Sequence, residues 1–248
     1  MNDTPPVRIA MWSGPRNIST AMMRSFENRP DCVVWDEPFY AAYLAKTGLH
    51  HPMYREVIAA GMEDPADVVK AILGPVPGNK PVFYQKHMLQ HMIDGVPEDW
   101  FGDVSHAFLI RDPEKMVASY AKKRAEVEAE DLGYTQLERI YAHVESLTGN
   151  GAPVIDADEF LANPDGMLRA LCDALAIPFY KEMLSWPSGT RDSDGVWAEH
   201  WYEAVRRSTG FQVPEYENVN LESVHQKIAD ACLPHYTKFK SISLSAKK

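Results

Sequence analysis

Apolar residues fall along this chain in short runs, separated by stretches with a helical repeat. Val7-Arg8-Ile9-Ala10-Met11-Trp12 is the first run and predicts a strand. It leads into Ser13-Gly14-Pro15-Arg16-Asn17. Ile18, Met22, Met23 and Phe26 then recur at the period of a helix. The opening unit therefore reads strand, turn, helix. Residues 32–35, 82–85, 107–110 and 154–155 predict four further strands. Helical patterns occupy about 40–61 and 65–73, and a Gly/Pro-rich loop follows over 74–79. Asp112-Pro113 has the chemistry of an N-cap followed by a first helical residue. Asn163-Pro164 opens another helix, with Met167, Leu168, Leu171 and Leu175 on one face.

Strands separated by helices pair in parallel through right-handed crossovers. The expected fold class is α/β, with a mainly parallel central sheet of about five strands and helices on both faces. One domain is expected over 1–248. The polar end, about 241–248, is expected to fray, and 187–215 reads as loop plus helix.

Composition narrows the function classes. The chain has 248 residues, 45% hydrophobic and 24% charged, an ordinary globular balance. No apolar run approaches the ~20 residues of a membrane span, and the start has no leader pattern. Cys32, Cys172 and Cys232 show neither disulfide-framework nor metal-ligand spacing, so buried, reduced thiols, a cytoplasmic location and no metal are expected. The 25 basic and 35 acidic residues give a net charge of −10, which excludes a general nucleic-acid binder. Lys122-Lys123-Arg124 is followed at once by Glu126, Glu128, Glu130 and Asp131, the pattern of a solvated helix face. An anionic ligand would need a local cluster of donors.

Two segments supply such donors. In Gly14-Pro15-Arg16-Asn17-Ile18-Ser19-Thr20, a strand turns into a helix whose first amide groups point outward with a partial positive charge. Arg16, Ser19 and Thr20 add side-chain donors. The Gly-Lys pair of a nucleotide-hydrolase loop is missing, which argues against ATP hydrolysis or a kinase. The second segment is Arg111-Asp112-Pro113 with Ser119. Arg111 stands at the C-terminal end of a strand, where open α/β sheets bind ligands, and Ser119 stands on the following helix.

Taken together, Pro-Arg-x-x-Ser-Thr after the first strand and Arg-Asp-Pro with a serine eight residues beyond the arginine resemble the sulfotransferase family. Its members use 3′-phosphoadenosine 5′-phosphosulfate (PAPS) as donor. The likeness runs on through Pro153-Val154-Ile155-Asp156, Asn163-Pro164 and Ile177-Pro178, and covers about residues 7–178. It implies a sulfotransferase fold of the P-loop NTPase type. It also implies that Gly14, Pro15, Arg16, Asn17, Ile18, Ser19 and Thr20 hold the 5′-phosphosulfate, and that Arg111 and Ser119 hold the 3′-phosphate. A late Gly-x-Trp loop in the family covers the nucleotide, a part that falls to Gly195-Val196-Trp197 with Arg191.

The family loop commonly has glycine where this chain has Ile18. A β-branched residue resists positive φ, so a differently shaped loop is expected. Tyr84-Gln85-Lys86-His87 is similar to the family's lysine-x-histidine segment, but out of register. His87 and Glu37 are the two candidate bases for the acceptor proton. Arg16 is expected to stabilise the charge that develops on the leaving phosphate. The expected partners are an adenine nucleotide and a small-molecule acceptor with a hydroxyl or amine. A small-molecule kinase with a modified phosphate loop and a non-catalytic nucleotide-binding protein are the alternatives.

Overall fold

The computed structural model describes residues 5–122, 127–212 and 221–247. All five expected strands form, each longer than the sequence pattern indicated. They are β1 (Val7–Ser13), β2 (Cys32–Asp36), β3 (Val82–Met88), β4 (Ser105–Ile110) and β5 (Val154–Asp156). They make one sheet in the order β2-β3-β1-β4-β5, and every pairing is parallel. Parallel neighbours need crossovers, and helices supply them: α1 (Ser19–Glu27), α2 (Tyr40–Thr47), α3 (Tyr54–Ala60), α4 (Pro65–Leu73), α5 (Pro113–Ala121) and α6 (Tyr134–Thr148). After β5 come α7 (Ala157–Ala162), α8 (Pro164–Ala174), α9 (Ala198–Trp201), α10 (Glu203–Arg207) and α11 (Ser223–Lys240).

Alternation along each strand divides the core in two. Ile9 and Met11 of β1 pack with Met22, Met23 and Phe26 of α1 and with Phe160 and Leu168 of α7 and α8. Ala10 and Trp12 face the other way, onto Val68 and Ile72 of α4, Val117 of α5, Ile140 of α6 and Phe239 of α11. A smaller cluster of Tyr40, Leu44, Val57, Trp197 and Tyr202 joins α2, α3 and α9 beside the sheet.

Two expectations need correction. The helical stretch 40–61 is two helices, because Gly48 takes φ 68° and ends α2 in the left-handed region that glycine enters most easily. The polar end is anchored: the Leu244 N–H donates to the Val154 carbonyl at 2.8 Å and the Lys247 N–H to that of Gly166 at 3.2 Å. Helices α6 and α11 were not anticipated. The charge block at 122–131 lies partly outside the described residues, as does the end of the 187–215 segment, whose described part carries α9 and α10. All three cysteines are free and buried. Among the described residues no helix is long and apolar enough to cross a membrane.

Candidate active site

The C-terminal ends of the strands open onto one cleft of about 900 Å³. The loop from β1 to α1 forms its floor, and Pro15 to Ala21 all line it. Gly14 is fixed by close approach, since a Cβ there would lie 2.4 Å from the Leu132 carbonyl oxygen. The left-handed residue of the loop is Arg16, with φ 54°, while Ile18 keeps φ −84°. The loop thus makes its turn two residues earlier than the glycine position of the family pattern, and the branched side chain is accommodated. No side chain caps α1, so its first-turn amides face the cleft unmasked. Asn17 accepts the Ile18 N–H on Oδ1 at 2.8 Å, and its buried Nδ2 has no partner among the described residues.

The second predicted segment meets the first. Arg16 Nε donates to Ser119 Oγ at 3.0 Å, and the Arg111 guanidinium donates to the Arg16 carbonyl. Arg111 and Ser119 both line the cleft. Asp112 caps α5 through the N–H groups of Glu114 and Lys115, and so fixes the helix that carries Ser119. Burial, and then the nearby Arg111, hold the Arg16 guanidinium below its ordinary pKa. The loop therefore concentrates positive charge that an anion would neutralise.

Across the cleft lies a buried polar cluster. Lys86 Nζ donates to Asp36 Oδ1 at 3.0 Å, Glu37 Oε1 at 2.6 Å and the Tyr202 hydroxyl at 2.6 Å. Burial alone would depress Lys86, but Asp36, Glu37 and Tyr202 outweigh it and hold its pKa well above the usual value. Burial pushes Glu37 up; Lys86 opposes that push and Asp36 adds to it. His91 Nε2 lies 3.9 Å from Glu37 Oε2. Burial holds His91 well below its ordinary pKa, helped by the charges of His51 and Lys86.

Three predicted residues are not on the cleft lining: Gly14, which packs against Leu132 behind the floor loop, His87 and Arg191. His87 points to the opposite face of β3 from Lys86 and is 1% exposed, among Trp12, Phe39 and Trp100. Its Nε2 pairs with Gln85 Oε1 at 3.2 Å, and burial pushes its pKa down to about 3. Period-two alternation decides this: Lys86 and Met88 line the cleft, so 85 and 87 cannot. Arg191 lies beyond the cleft lining, against Glu27 at 3.5 Å. Trp197 does line the cleft, and its indole donates to the Tyr202 hydroxyl at 3.1 Å. Buried Arg24 of α1 pairs with Glu27 and Asp194, tying the Trp197 segment to the helix that begins at the floor loop. Sequence reasoning missed Asp36, His91, Tyr40 and Tyr202 as site residues.

A family model described as "Sulfotransferase domain" matches residues 7–243. The chain belongs to the sulfotransferase family. Two Arabidopsis thaliana proteins, branched-chain-amino-acid aminotransferase-like proteins 2 and 1, are each 38% identical to it, over 229 and 237 residues. These matches cover 92% and 95% of this sulfotransferase-family chain, but only 40% and 42% of the plant proteins. The chain thus spans about two fifths of the length of the curated relatives it matches. Among solved structures, a sulfotransferase from Alicyclobacillus acidocaldarius is 11% identical, with 96% of each chain covered and a TM-score of 0.54. The shared fold is that of the P-loop-like sulfotransferases.

Proposed function

We propose that the chain is a PAPS-dependent sulfotransferase acting on a small molecule. The observation that carries this reading is the meeting of two distant motifs in one cleft, with Arg16 on Ser119 and Arg111 on the Arg16 carbonyl. The residues fit a doubly phosphorylated nucleotide. The unmasked amides of α1, the unpartnered Asn17 Nδ2, Ser19 and Thr20 suit one anionic group, and Arg111 with Ser119 a second. When bound, PAPS supplies the sulfuryl group and departs as adenosine 3′,5′-bisphosphate. Arg16 and the α1 amides stabilise the charge that develops on the departing phosphate. Glu37 takes the acceptor proton; it lines the cleft and its burial raises its affinity for a proton, whereas His87 is held neutral on the far side of β3.

Calorimetric titration of adenosine 3′,5′-bisphosphate, AMP and ATP tests the donor. The bisphosphate is expected to bind more tightly than the other two. Arg111→Ala should weaken it about 10- to 100-fold while AMP binding barely changes, because one charge-assisted phosphate contact is lost. Equal affinity for AMP and the bisphosphate overturns the reading, and magnesium-dependent ATP turnover would point to a kinase instead.

A further inference from the structure

The half of the cleft beyond the floor loop is built for a different charge. Asp36 and Glu37 share a single cation, and Lys86 has given each of its three N–H bonds to Asp36, Glu37 or Tyr202. Asp36 Oδ2 is engaged by the Tyr202 hydroxyl at 2.7 Å and by the Gly195 N–H at 3.4 Å. Glu37 Oε2 has His91 Nε2 beside it, beyond hydrogen-bonding reach at 3.9 Å, and the Tyr202 hydroxyl also bears on the Glu37 carboxylate. His91 is 3% exposed, and its Nδ1 has no partner among the described residues. The other two arginine or lysine side chains on the described lining, Arg16 and Arg111, stand together at the floor loop. Two buried carboxylates are thus balanced by one ammonium, and such an excess is costly away from water unless a proton or another cation completes it.

The surrounding walls suit a cation. Tyr40 stacks on His91 with ring centroids 4.7 Å apart and meets Trp197 nearly at right angles, 5.2 Å away. Trp201 and Tyr202 extend the aromatic lining. Aromatic faces beside a carboxylate bind onium groups through the ring quadrupole.

We propose that the acceptor is a small alcohol carrying an ammonium or quaternary ammonium group. Its hydroxyl lies toward Glu37 Oε2 and its cation against the rings of Tyr40 and Trp197. This assignment rests on the sulfuryl-transfer reading for its chemistry. In the reaction, the bond from the alcohol oxygen to sulfur forms and the bond from sulfur to the phosphate oxygen breaks. The hydroxyl proton passes to Glu37, and adenosine 3′,5′-bisphosphate leaves. The product is a zwitterion with no net charge, so the carboxylate pair holds it less firmly than the cationic acceptor.

The probes are choline, its neutral isostere 3,3-dimethylbutan-1-ol, and the anionic alcohol isethionate, each titrated calorimetrically into the whole protein with and without saturating adenosine 3′,5′-bisphosphate. Choline is expected to bind at least about tenfold more tightly than the isostere, with isethionate weakest. Tyr40→Leu should bring the choline-to-isostere ratio toward one, and Tyr40→Phe, which keeps the ring face, should preserve it. Equal or tighter binding of the isostere, a preference for isethionate, or no choline binding in either condition overturns the assignment. Bisphosphate titrated alone reports separately on the donor. Its failure alongside intact choline selectivity would discard the sulfuryl donor and leave the cation site standing.

Discussion

Lys86 and His87 are neighbours on β3, Glu37 follows the paired end of β2, and the three have different fates. Lys86 is buried because Asp36, Glu37 and Tyr202 satisfy every donor it has, which makes an otherwise costly charge tolerable. Glu37 stands at φ 42° immediately after β2, a strained conformation that turns its side chain to the cleft. His87 is sealed behind the strand. Glu37→Gln is therefore expected to lower turnover roughly 10²–10⁴-fold with bisphosphate affinity unchanged. His87→Asn should leave kcat within a few-fold and the acidic limb of the pH–rate profile in place. A lost limb in His87→Asn, with Glu37→Gln near full activity, would reverse the assignment. Strand alternation was readable in the residues themselves: two neighbours on one strand cannot both face a cleft, and Lys86 had the charged partners. The partners Asp36 and Tyr202 are 166 residues apart, which no local pattern brings together.

At the scale of elements, all five strands were legible because each is a short apolar run closed by turn chemistry. The caps of α5 and α8 were legible too, with Asp112 and Asn163 each accepting backbone N–H groups as their sequence context implies. Helix α11 was hidden for a physical reason. Its buried face is Ala229, Cys232, Tyr236 and Phe239, small or amphipathic for the most part, and Pro234 interrupts it. The floor loop was legible as a turn between β1 and α1, and so was its departure from the family shape at Ile18; that Arg16 would be the residue to enter the left-handed region was not. Gly14 tests how closely the loop must be packed. Gly14→Ala would drive a Cβ into the Leu132 carbonyl, a backbone clash expected to cost about 1–3 kcal/mol and to weaken bisphosphate binding. Gly48→Ala, with φ 68° and open space around it, should cost about 1 kcal/mol and leave binding alone. Denaturant midpoints and bisphosphate titrations of the two variants separate these outcomes. Equal effects on binding would mean the close approach of Gly14 does not shape the site.

For the molecule as a whole, buried histidines set the response to acid. Burial pushes His87 down to about 3 and His106 to about 4, and His91 well below its ordinary value. An unfolded chain protonates these groups near pH ~6.5. Between there and their folded values, the unfolded state binds more protons, so stability is complete above about pH 6.5 and drains away as the pH falls. Glu37, whose pKa is raised, acts with the opposite sign, but it is one group against three. The melting temperature should hold from pH 8 to 7 and fall steadily below 6.5, above the range where surface carboxylates titrate. His87→Asn should give a shallower fall. A melting temperature flat to pH 5 would show that these histidines protonate without unfolding the protein.

The anchored tail has a consequence for solubility. β5 is one of the two outer strands of the sheet, and the Leu244 amide occupies the Val154 carbonyl on its free side. An open strand margin is a template on which a second molecule can lay its own backbone. By folding back here, the segment around Leu244 takes up an acceptor on this margin that a second molecule's backbone would otherwise use, and makes the β5 side a poorer place for sheet-to-sheet growth to begin.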